Sequence, residues 1–253
     1  MAKFQYGQFM LFGDSITEYS SVEEHGLTPA LQKAYIRRLD IVNRGFDGYN
    51  TRQALQVLPH IIPSPEQAKL RLLTIGFGAN DATSPEANND FHVPLAQYKE
   101  NLQSILSHPS IAAQSCRVLL ITPPPIDEYQ HETKDRMAGQ PGLTRFSQSA
   151  KDYADACRQV GETMHVPVFD LWGCLMRRAG WSDGGELAGA KDAPRSDVLG
   201  QLLSDGVHFT SQGYQVFYEN LMDFVSRTYP DLKPENMPFV FPTCDEFTGE
   251  LEK

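Results

Sequence analysis

A serine near the start of the chain and a histidine near its end could together form an activated nucleophile. Ser15 lies in a Gly-Asp-Ser-Ile motif, and far downstream Asp205 and His208 are three positions apart. A serine hydroxyl is a weak nucleophile at neutral pH, so it needs a base within hydrogen-bond reach and a third group that orients the base. The three residue types predict a serine hydrolase in which Ser15 attacks, His208 accepts its proton and Asp205 orients His208.

Acyl transfer also needs hydrogen-bond donors for the negative charge that develops on the carbonyl oxygen. Asn80 offers a side-chain amide, Gly48 offers a backbone N–H that no Cβ obstructs, and the backbone amide of Ser15 is a third donor. Neutral donors suit an ester carbonyl better than a phosphate group, which usually attracts Arg or Lys. We therefore expect an oxyanion hole made of these three residues.

Short apolar runs, bounded by Gly, Pro, Asn or Asp, alternate with longer segments of helical period. This alternation predicts an α/β protein, a three-layer α/β/α sandwich in which helices cover a parallel sheet. The five predicted strands are Gln8–Phe12, Asp40–Asn43, Leu70–Phe77, Arg117–Thr122 and Pro167–Leu171. The predicted helices are Pro29–Leu39, Thr51–Leu58, Leu95–Leu106, Thr144–Met164 and Ser211–Arg227. Ligands bind beyond the carboxyl ends of the strands in such sheets, and the candidate residues fall there.

Four short blocks of the chain resemble the SGNH hydrolases, also called GDSL esterases/lipases. The blocks occur in the family's order and span most of the chain: Gly13–Ile16, Gly45–Gly48, Gly78–Asp81 and Asp205–His208. Ile16 stands where the family's name has Leu, a conservative change. The second glycine of a G-x-S-x-G elbow is replaced by Thr17, which argues against a conventional α/β-hydrolase. The resemblance implies a flavodoxin-like five-stranded sheet in the order 2-1-3-4-5, and its spacing favours Gly48 over Gly45 as the oxyanion-hole glycine.

Within this family, three segments look most like the isoamyl acetate-hydrolysing esterases: Asn43–Tyr49, Ile121–Pro125 and His208–Thr210. The resemblance implies a preference for short-chain esters, acetate esters in particular. A carbohydrate or other polyol O-deacetylase is the alternative within catalysis, and a non-catalytic binding protein on the same fold is a further alternative. The candidate pocket walls are aromatic residues whose default role is core packing: Phe46, Tyr49, Phe77, Trp181 and Phe209.

The composition is that of an ordinary globular protein of 253 residues, 41% of them hydrophobic and 21% charged. We expect a hydrolase domain over residues 1–229 and a Pro-rich C-terminal extension over 230–253. Prolines recur at every fourth position from Pro230 to Pro242, which excludes a continuous helix there. Phenylalanines in the extension could anchor it on the body of the protein or on a neighbouring subunit, so a homodimer is one expectation.

The net charge and the spacing of the cysteines exclude several classes of ligand and partner. The net charge of -10 offers no cationic surface for nucleic acid or for an anionic membrane. No apolar stretch reaches the ~18 residues that span a bilayer, so we expect no stable membrane anchor. The expected ligand is a small-molecule ester. The four cysteines form neither a CxxC pair nor a close Cys/His group, which favours free thiols and a cytoplasmic location. Neither a metal nor another cofactor is expected.

Other polar features have structural interpretations. Asp14 is expected to bond the backbone of its own turn, and Asp81 to cap the segment that follows it. The acidic run 127–132 superficially suggests a metal site, but we favour a solvated loop. The Gly-rich segment 178–200 predicts a long loop, either a lid or a surface insertion. The other histidines are expected at the surface or in packing: His25, His60, His92, His108, His131 and His165.

Overall fold

Five parallel strands form the central sheet, in the spatial order β2-β1-β3-β4-β5. The computed structural model describes residues 6–87 and 89–247. The strands are β1 (Gly7–Gly13), β2 (Leu39–Gly45), β3 (Leu70–Gly76), β4 (Arg117–Ile121) and β5 (Val168–Phe169). All five predicted strands are present, although β5 is shorter than expected. The strand order that the family resemblance implied is confirmed.

Ten helices occur in the described part of the chain, and none of them combines the length and apolarity needed to cross a bilayer. They are α1 (Ser15–Tyr19), α2 (Leu27–Ala34), α3 (Thr51–Ile61), α4 (Leu95–Leu106), α5 (Pro109–Gln114), α6 (Glu128–Met137), α7 (Ser147–Met164), α8 (Leu171–Arg178), α9 (Asp197–Leu202) and α10 (Ser211–Thr228). Sequence periodicity predicts only α2, α3, α4, α7 and α10. The five helices that it misses are short, and each begins after a side chain that caps its first turn.

The alternation of side chains along β1 explains the three layers. Successive residues of a strand point to opposite faces of the sheet. Phe9 and Leu11 join a core with residues of α2 and α10, whereas Met10 and Phe12 join a second core with residues of α3, α4 and α7. All four side chains are buried, so β1 is covered on both faces. This explains why its sequence is a continuous apolar run and does not alternate with polar residues.

The helix predicted over Pro29–Leu39 is too long. It ends at Ala34, and Arg37 then takes a left-handed backbone conformation with φ of 60°. Leu39 already pairs with Gly7 at the start of β2. The apolar spacing therefore runs across a helix end and a strand start, which periodicity alone does not separate.

The helix predicted from Thr144 starts instead at Ser147. The backbone amide of Thr144 donates to a carboxylate oxygen of Asp135 at 2.7 Å, and its hydroxyl contacts the same carboxylate. A side chain from α6 thus holds residues 144–146 as a loop ahead of α7. This loop carries Arg145, which reaches the candidate site.

The C-terminal extension packs onto its own chain. Single turns of 3-10 helix over Pro230–Leu232 and Pro234–Asn236 replace a continuous helix, as the prolines predict. Leu232 is fully buried, and its carbonyl accepts a 2.9 Å hydrogen bond from the hydroxyl of Tyr35. This contact makes the first part of the extension a component of the core that lies between α2 and α10.

Further along the extension, the ring of Phe239 contacts two guanidinium groups. The guanidinium carbons of Arg37 and Arg38 lie 4.5 and 4.4 Å from its centroid. The expectation that phenylalanines anchor the extension on the body of the protein holds for this residue. Residues 248–253 lie outside the described residues, and the homodimer stays a prediction.

The segment 178–200 is held to the domain at several points. Glu128 accepts the backbone amide of Lys191 at 3.0 Å, and its own amide donates to the carbonyl of Gly189 at 2.9 Å. Trp181 packs edge-on against Trp172 of α8, with ring centroids 4.9 Å apart. These contacts favour a packed surface insertion over a lid.

Candidate active site

Ser15 lies where β1 passes directly into α1. The strand ends at Gly13, and Asp14 caps the helix by accepting the backbone amide of Ile16 at 3.0 Å, which confirms the structural role expected for this aspartate. The first turn of a helix leaves backbone N–H groups without intrahelical acceptors. The hydroxyl and the amide of Ser15 are therefore presented together at the carboxyl end of the sheet.

Hydrogen bonds join Ser15, His208 and Asp205 in one chain. His208 Nε2 lies 2.9 Å from Ser15 Oγ, and His208 Nδ1 lies 2.8 Å from Asp205 Oδ2. The other carboxylate oxygen of Asp205 accepts the backbone amides of Val207 and His208, at 3.0 and 2.8 Å. Asp205 thus holds the imidazole through Nδ1 and leaves Nε2 facing the serine, as a general base requires. The ring of Tyr19 packs on the imidazole, with centroids 5.3 Å apart.

Helix α6 supports the turn that carries Asp205 and His208. The backbone amide of Asp127 donates to the carbonyl of Gly206 at 2.9 Å, and the ammonium group of Lys134 contacts the Asp205 carboxylate. Gly206 has a left-handed φ of 85°, and a Cβ there would lie 2.3 Å from the Asp127 carbonyl oxygen. Only glycine fits so close an approach at such a φ. The turn therefore docks against the start of α6.

The interpretation of residues 127–132 as a solvated loop is wrong. Asp127 caps α6 by accepting the amide of Tyr129 at 3.0 Å, and Glu128 and His131 are 7% and 3% exposed. The signal in the sequence is the acidic start of the run, because carboxylates favour the positive end of a helix. In the ranges that the structure describes, no three His, Cys, Asp or Glu side chains are grouped to hold a metal ion.

The charge of Asp205 is set by its hydrogen bonds. Burial alone would raise the pKa of this carboxyl, but the hydrogen bonds from His208 and Lys134 outweigh burial and lower the pKa well below its ordinary value. Asp205 is therefore negatively charged at neutral pH and can stabilise a protonated His208. Sequence analysis did not single out Lys134, because no local pattern indicates that a lysine will contact a carboxylate far away in the chain.

The expected oxyanion-hole residues follow three strands that end side by side. Gly13 of β1 pairs with Gly45 of β2 and Gly76 of β3, and the candidate donors lie just beyond these positions. The backbone amides of Ser15 and Gly48 have no hydrogen-bond acceptor among the described residues. They are therefore available to a ligand, as an oxyanion hole requires.

Asn80 is held at both ends of its carboxamide. Its Nδ2 donates to the carbonyl of Tyr49 at 2.9 Å, which leaves its second hydrogen for a ligand. Its Oδ1 accepts a 2.8 Å hydrogen bond from Nη2 of Arg145. Arg145 was missed by sequence analysis, because it lies outside the four blocks and within a predicted helix.

The two glycines considered for the second block have different roles. Gly48 lies in a turn with a left-handed φ of 74°, where a Cβ would come no closer than 3.4 Å to the ring of Phe91. Gly45 lies at the end of β2 against α1, and a Cβ there would lie 2.0 Å from the backbone nitrogen of Glu18. Gly48 is thus the candidate donor, whereas Gly45 allows α1, and Ser15 with it, to approach the sheet.

Substitution Gly45→Ala is expected to lower the free energy of unfolding by about 3 kcal/mol, because the methyl group must push the α1 backbone away from β2. Urea denaturation measures the change. The matched control is Gly200→Ala in α9, where a Cβ meets no atom within 4 Å and alanine should be neutral or slightly stabilising. Equal stability of the two variants would contradict the close approach of α1 to β2.

Asp81 supports the start of α3, whose N-cap is Asn50, which corrects the expectation that Asp81 caps the segment after it. It accepts the backbone amide of Thr51 at 3.0 Å and also the Thr51 hydroxyl. Asn101 of α4 donates to the same hydroxyl at 2.9 Å. Burial raises the pKa of Asp81 to about 6. The network ties the loop that carries Asn80 to the start of α3.

Two of the expected pocket walls lie beside the candidate hole. Phe46 and Tyr49 are half-buried and stack with ring centroids 5.0 Å apart and an interplanar angle of 19°. Both belong to the turn that contains Gly48. Phe91, which sequence analysis missed, lies next to Gly48 and is also half-buried.

Two further expected walls, Phe77 and Phe209, are corrected to core residues, whereas the half-buried Trp181 stays a prediction. Phe77 and Phe209 are 1% and 2% exposed and pack in the two cores, so they present no surface to a ligand. Trp181 packs on Trp172 in a separate apolar cluster. Aromatic type and proximity to a motif do not distinguish a pocket wall from a core residue, because both are apolar.

Known proteins are similar to this chain in sequence and in architecture. A family model described as GDSL-like lipase/acylhydrolase matches residues 9–221. A GDSL esterase/lipase of Arabidopsis thaliana is 34% identical over 96% of this chain and 94% of its own length. The isoamyl acetate-hydrolysing esterase of Saccharomyces cerevisiae is 31% identical over 92% of both chains. The crystal structure of a lipase/acylhydrolase from Enterococcus faecalis, 22% identical, has a TM-score of 0.59 and covers 88% of this chain and 96% of that one, in agreement with the fold. The chain belongs to the GDSL-like lipase/acylhydrolase family, the SGNH hydrolases, and is a carboxylic ester hydrolase.

Proposed function

We propose that this enzyme hydrolyses short-chain carboxylic esters, acetate esters in particular, through an acyl-enzyme formed on Ser15. The observation that carries the proposal is the hydrogen-bonded chain from Asp205 through His208 to Ser15. The free amides of Ser15 and Gly48 and the oriented amide of Asn80 supply the donors that acyl transfer needs. The activity for which the yeast relative is named supports the acetate preference.

In the acylation step, Ser15 Oγ attacks the carbonyl carbon of the ester while His208 Nε2 accepts the hydroxyl proton. The carbonyl oxygen becomes an oxyanion, which accepts hydrogen bonds from the backbone amides of Ser15 and Gly48 and from Nδ2 of Asn80. Asp205 stabilises the imidazolium that forms. The bond to the alcohol oxygen then breaks, and His208 returns the proton to the leaving alkoxide.

In the deacylation step, a water molecule attacks the acyl group on Ser15 while His208 accepts one of its protons. The second oxyanion uses the same three donors. Its collapse breaks the bond to Ser15 Oγ, which takes the proton back from His208, and the carboxylic acid leaves. All proton transfers in the cycle pass through one imidazole, which Asp205 keeps in a single orientation.

The acyl group is proposed to lie against Phe46, Tyr49 and Phe91, the half-buried aromatic residues around Gly48. We expect kcat/KM to fall from p-nitrophenyl acetate to the butyrate and the octanoate. Each methylene that a pocket cannot accept costs about 1–3 kcal/mol, or roughly 10- to 200-fold in rate. Wild type is assayed beside Ser15→Ala and beside Ser104→Ala, an exposed helical serine on α4.

A preference for the octanoate would contradict the short-chain proposal, and turnover that is equal in wild type and Ser15→Ala would contradict the assigned nucleophile. Isoamyl acetate and acetylated sugars then separate the acetate esterase from a carbohydrate or polyol O-deacetylase. Activity on acetylated sugars well above that on isoamyl acetate would establish the second activity in place of the first.

A cytoplasmic location is part of the proposal. It is supported by four unpaired cysteines, of which Cys157 is buried and only Cys244 is exposed. Burial raises the pKa of the Cys157 thiol to about 12, so this thiol is unreactive at neutral pH. Fractionation of cells that express the chain tests the location, and sedimentation velocity tests the proposed homodimer.

A further inference from the structure

A buried positive charge lies behind the candidate oxyanion hole. Arg145 is 8% exposed, its Nη2 donates to Asn80 Oδ1, and its Nη1 donates to the carbonyl of Ala79. Both acceptors are neutral, and in the described ranges no carboxylate lies within ion-pair distance of this guanidinium. A buried cation without a direct counter-ion costs stability. Packing alone does not require an arginine here, because an apolar side chain of similar length could fill the same space.

We propose that Arg145 is a positioning residue for the oxyanion hole, which holds the carboxamide of Asn80 with its NH2 group toward the substrate and strengthens that group as a donor. The inference rests on the proposed function, because it assigns a role within the same site. Arg145 does not touch the reacting atoms and acts through Asn80.

The first part of the role is selection of one amide orientation. The oxygen and nitrogen of a carboxamide are nearly equal in size, so steric packing hardly distinguishes the two orientations. A carbonyl acceptor from Tyr49 on one side and a guanidinium donor from Arg145 on the other are satisfied together in one orientation only. The reversed amide would place Oδ1 against the developing oxyanion and repel it.

The second part of the role is electrostatic. A charged donor on Oδ1 polarises the carboxamide and makes its N–H groups stronger donors. This polarisation is stronger in a water-poor interior than it would be in water. Negative charge develops on the carbonyl oxygen on the way to the transition state and is absent from the bound ester, so Arg145 should influence kcat more than KM.

The surroundings of Arg145 keep its position and its charge. Thr144 is bonded to Asp135 at 2.7 Å and to His131 Nε2 at 3.1 Å, so α6 holds the loop that carries Arg145. Burial lowers the pKa of Arg145, and nearby carboxylates oppose this shift. These are Asp14, Asp205, Asp135 and Asp81. The guanidinium therefore stays protonated although it has no direct ion-pair partner.

A double-mutant cycle between Arg145 and Asn80 tests the proposal. Arg145→Met is expected to lower kcat by about 10- to 100-fold, less than the ~100- to 1,000-fold loss of an oxyanion-hole donor, with KM changed by less than about threefold. In the Asn80→Ala background the same change is expected to cost less than about threefold, because no amide remains to be held. Arg117→Met, at the opposite end of the sheet, is the control and should leave kcat unchanged.

A purely structural arginine would cost the same factor in both backgrounds, and that result would overturn the proposal. If Arg145→Met does not fold, as judged by circular dichroism, Arg145→Lys replaces it in the cycle. Lysine keeps the charge but offers no planar fork, so a loss of about 3- to 10-fold is expected, again only when Asn80 is present. A loss that persists in the Asn80→Ala background would overturn the proposal for this variant too.

The rate of labelling of Ser15 by a fluorophosphonate is measured beside ester turnover, since its phosphonyl oxygen needs the same donors whatever the natural ester is. A wild type that is neither labelled nor active would overturn the proposed function itself. A labelled wild type in which Arg145→Met slows labelling equally with and without Asn80 would overturn only the role of Arg145. The two failures are therefore distinguishable.

Discussion

Replacement of Ser15 by alanine is expected to lower kcat by about 10⁴- to 10⁶-fold while the protein stays folded. The substitution removes only the hydroxyl group. The hydrogen bond of that group is to His208, which is itself partly exposed to solvent. Loss of that bond should therefore change stability little, whereas loss of the attacking atom removes the acyl-enzyme route. Initial rates on p-nitrophenyl acetate and thermal denaturation of both proteins measure the two quantities.

Substitution His208→Ala is expected to cost about as much as Ser15→Ala, and the double variant little more than either, because the two residues act as a unit. Additive losses would indicate that the residues act independently. Activity close to wild type in either single variant would contradict the proposed mechanism. Ser104→Ala serves as the control for the loss of a hydroxyl group elsewhere, and it should retain full activity.

The second large effect is expected for Asp205→Asn, with a loss in kcat of about 10⁴-fold, by analogy with the carboxylate of serine protease triads. The Asp205 carboxylate accepts from the His208 ring, from two backbone amides and from Lys134. A carboxamide has a single acceptor atom, and its NH2 group turned toward Nδ1 would favour the wrong imidazole tautomer. The pH dependence of kcat/KM and the crystal structure of the variant would show whether the ring has changed partner.

The matched control for this variant is Lys134→Met, which removes the other side chain on the carboxylate but keeps the carboxylate itself. It is expected to lower kcat by less than about tenfold, because the His208 contact remains. A loss as large as that of Asp205→Asn would contradict the role assigned to the aspartate, because it would show that the lysine is equally essential.

Stability should follow pH in a defined direction. The folded-state pKa of Asp205 is lowered, so this carboxyl contributes stability above its ordinary value of about 4, and the contribution is lost as pH falls toward the lowered pKa. The difference in free energy of unfolding between wild type and Asp205→Asn should therefore be largest near neutral pH and shrink below about pH 4. Urea denaturation at pH 7 and pH 3.5 measures it.

Much of the fold follows from patterns that are local in the chain. Strand β1 can be predicted from its apolar run, which is continuous because both faces of the strand are covered. Helix α10 can be predicted because its eighteen residues show several turns of helical spacing. Short helices have no such pattern. Helix α6 has a polar composition, and its buried residues satisfy hydrogen bonds instead of filling an apolar core, so hydrophobic periodicity does not reveal it.

The sequence by itself determined the candidates for nucleophile, base, orienting acid and amide donor, because these are residue types in recognisable blocks: Ser15, His208, Asp205 and Asn80. Only the tertiary structure decided what surrounds them. Lys134 and Arg145 reach the site from segments outside those blocks, and Phe77 and Phe209 turn into the core although motifs flank them. The physical reason is that a contact between distant residues depends on how helices and loops pack on the sheet, and that packing leaves no local pattern in the residues that make the contact.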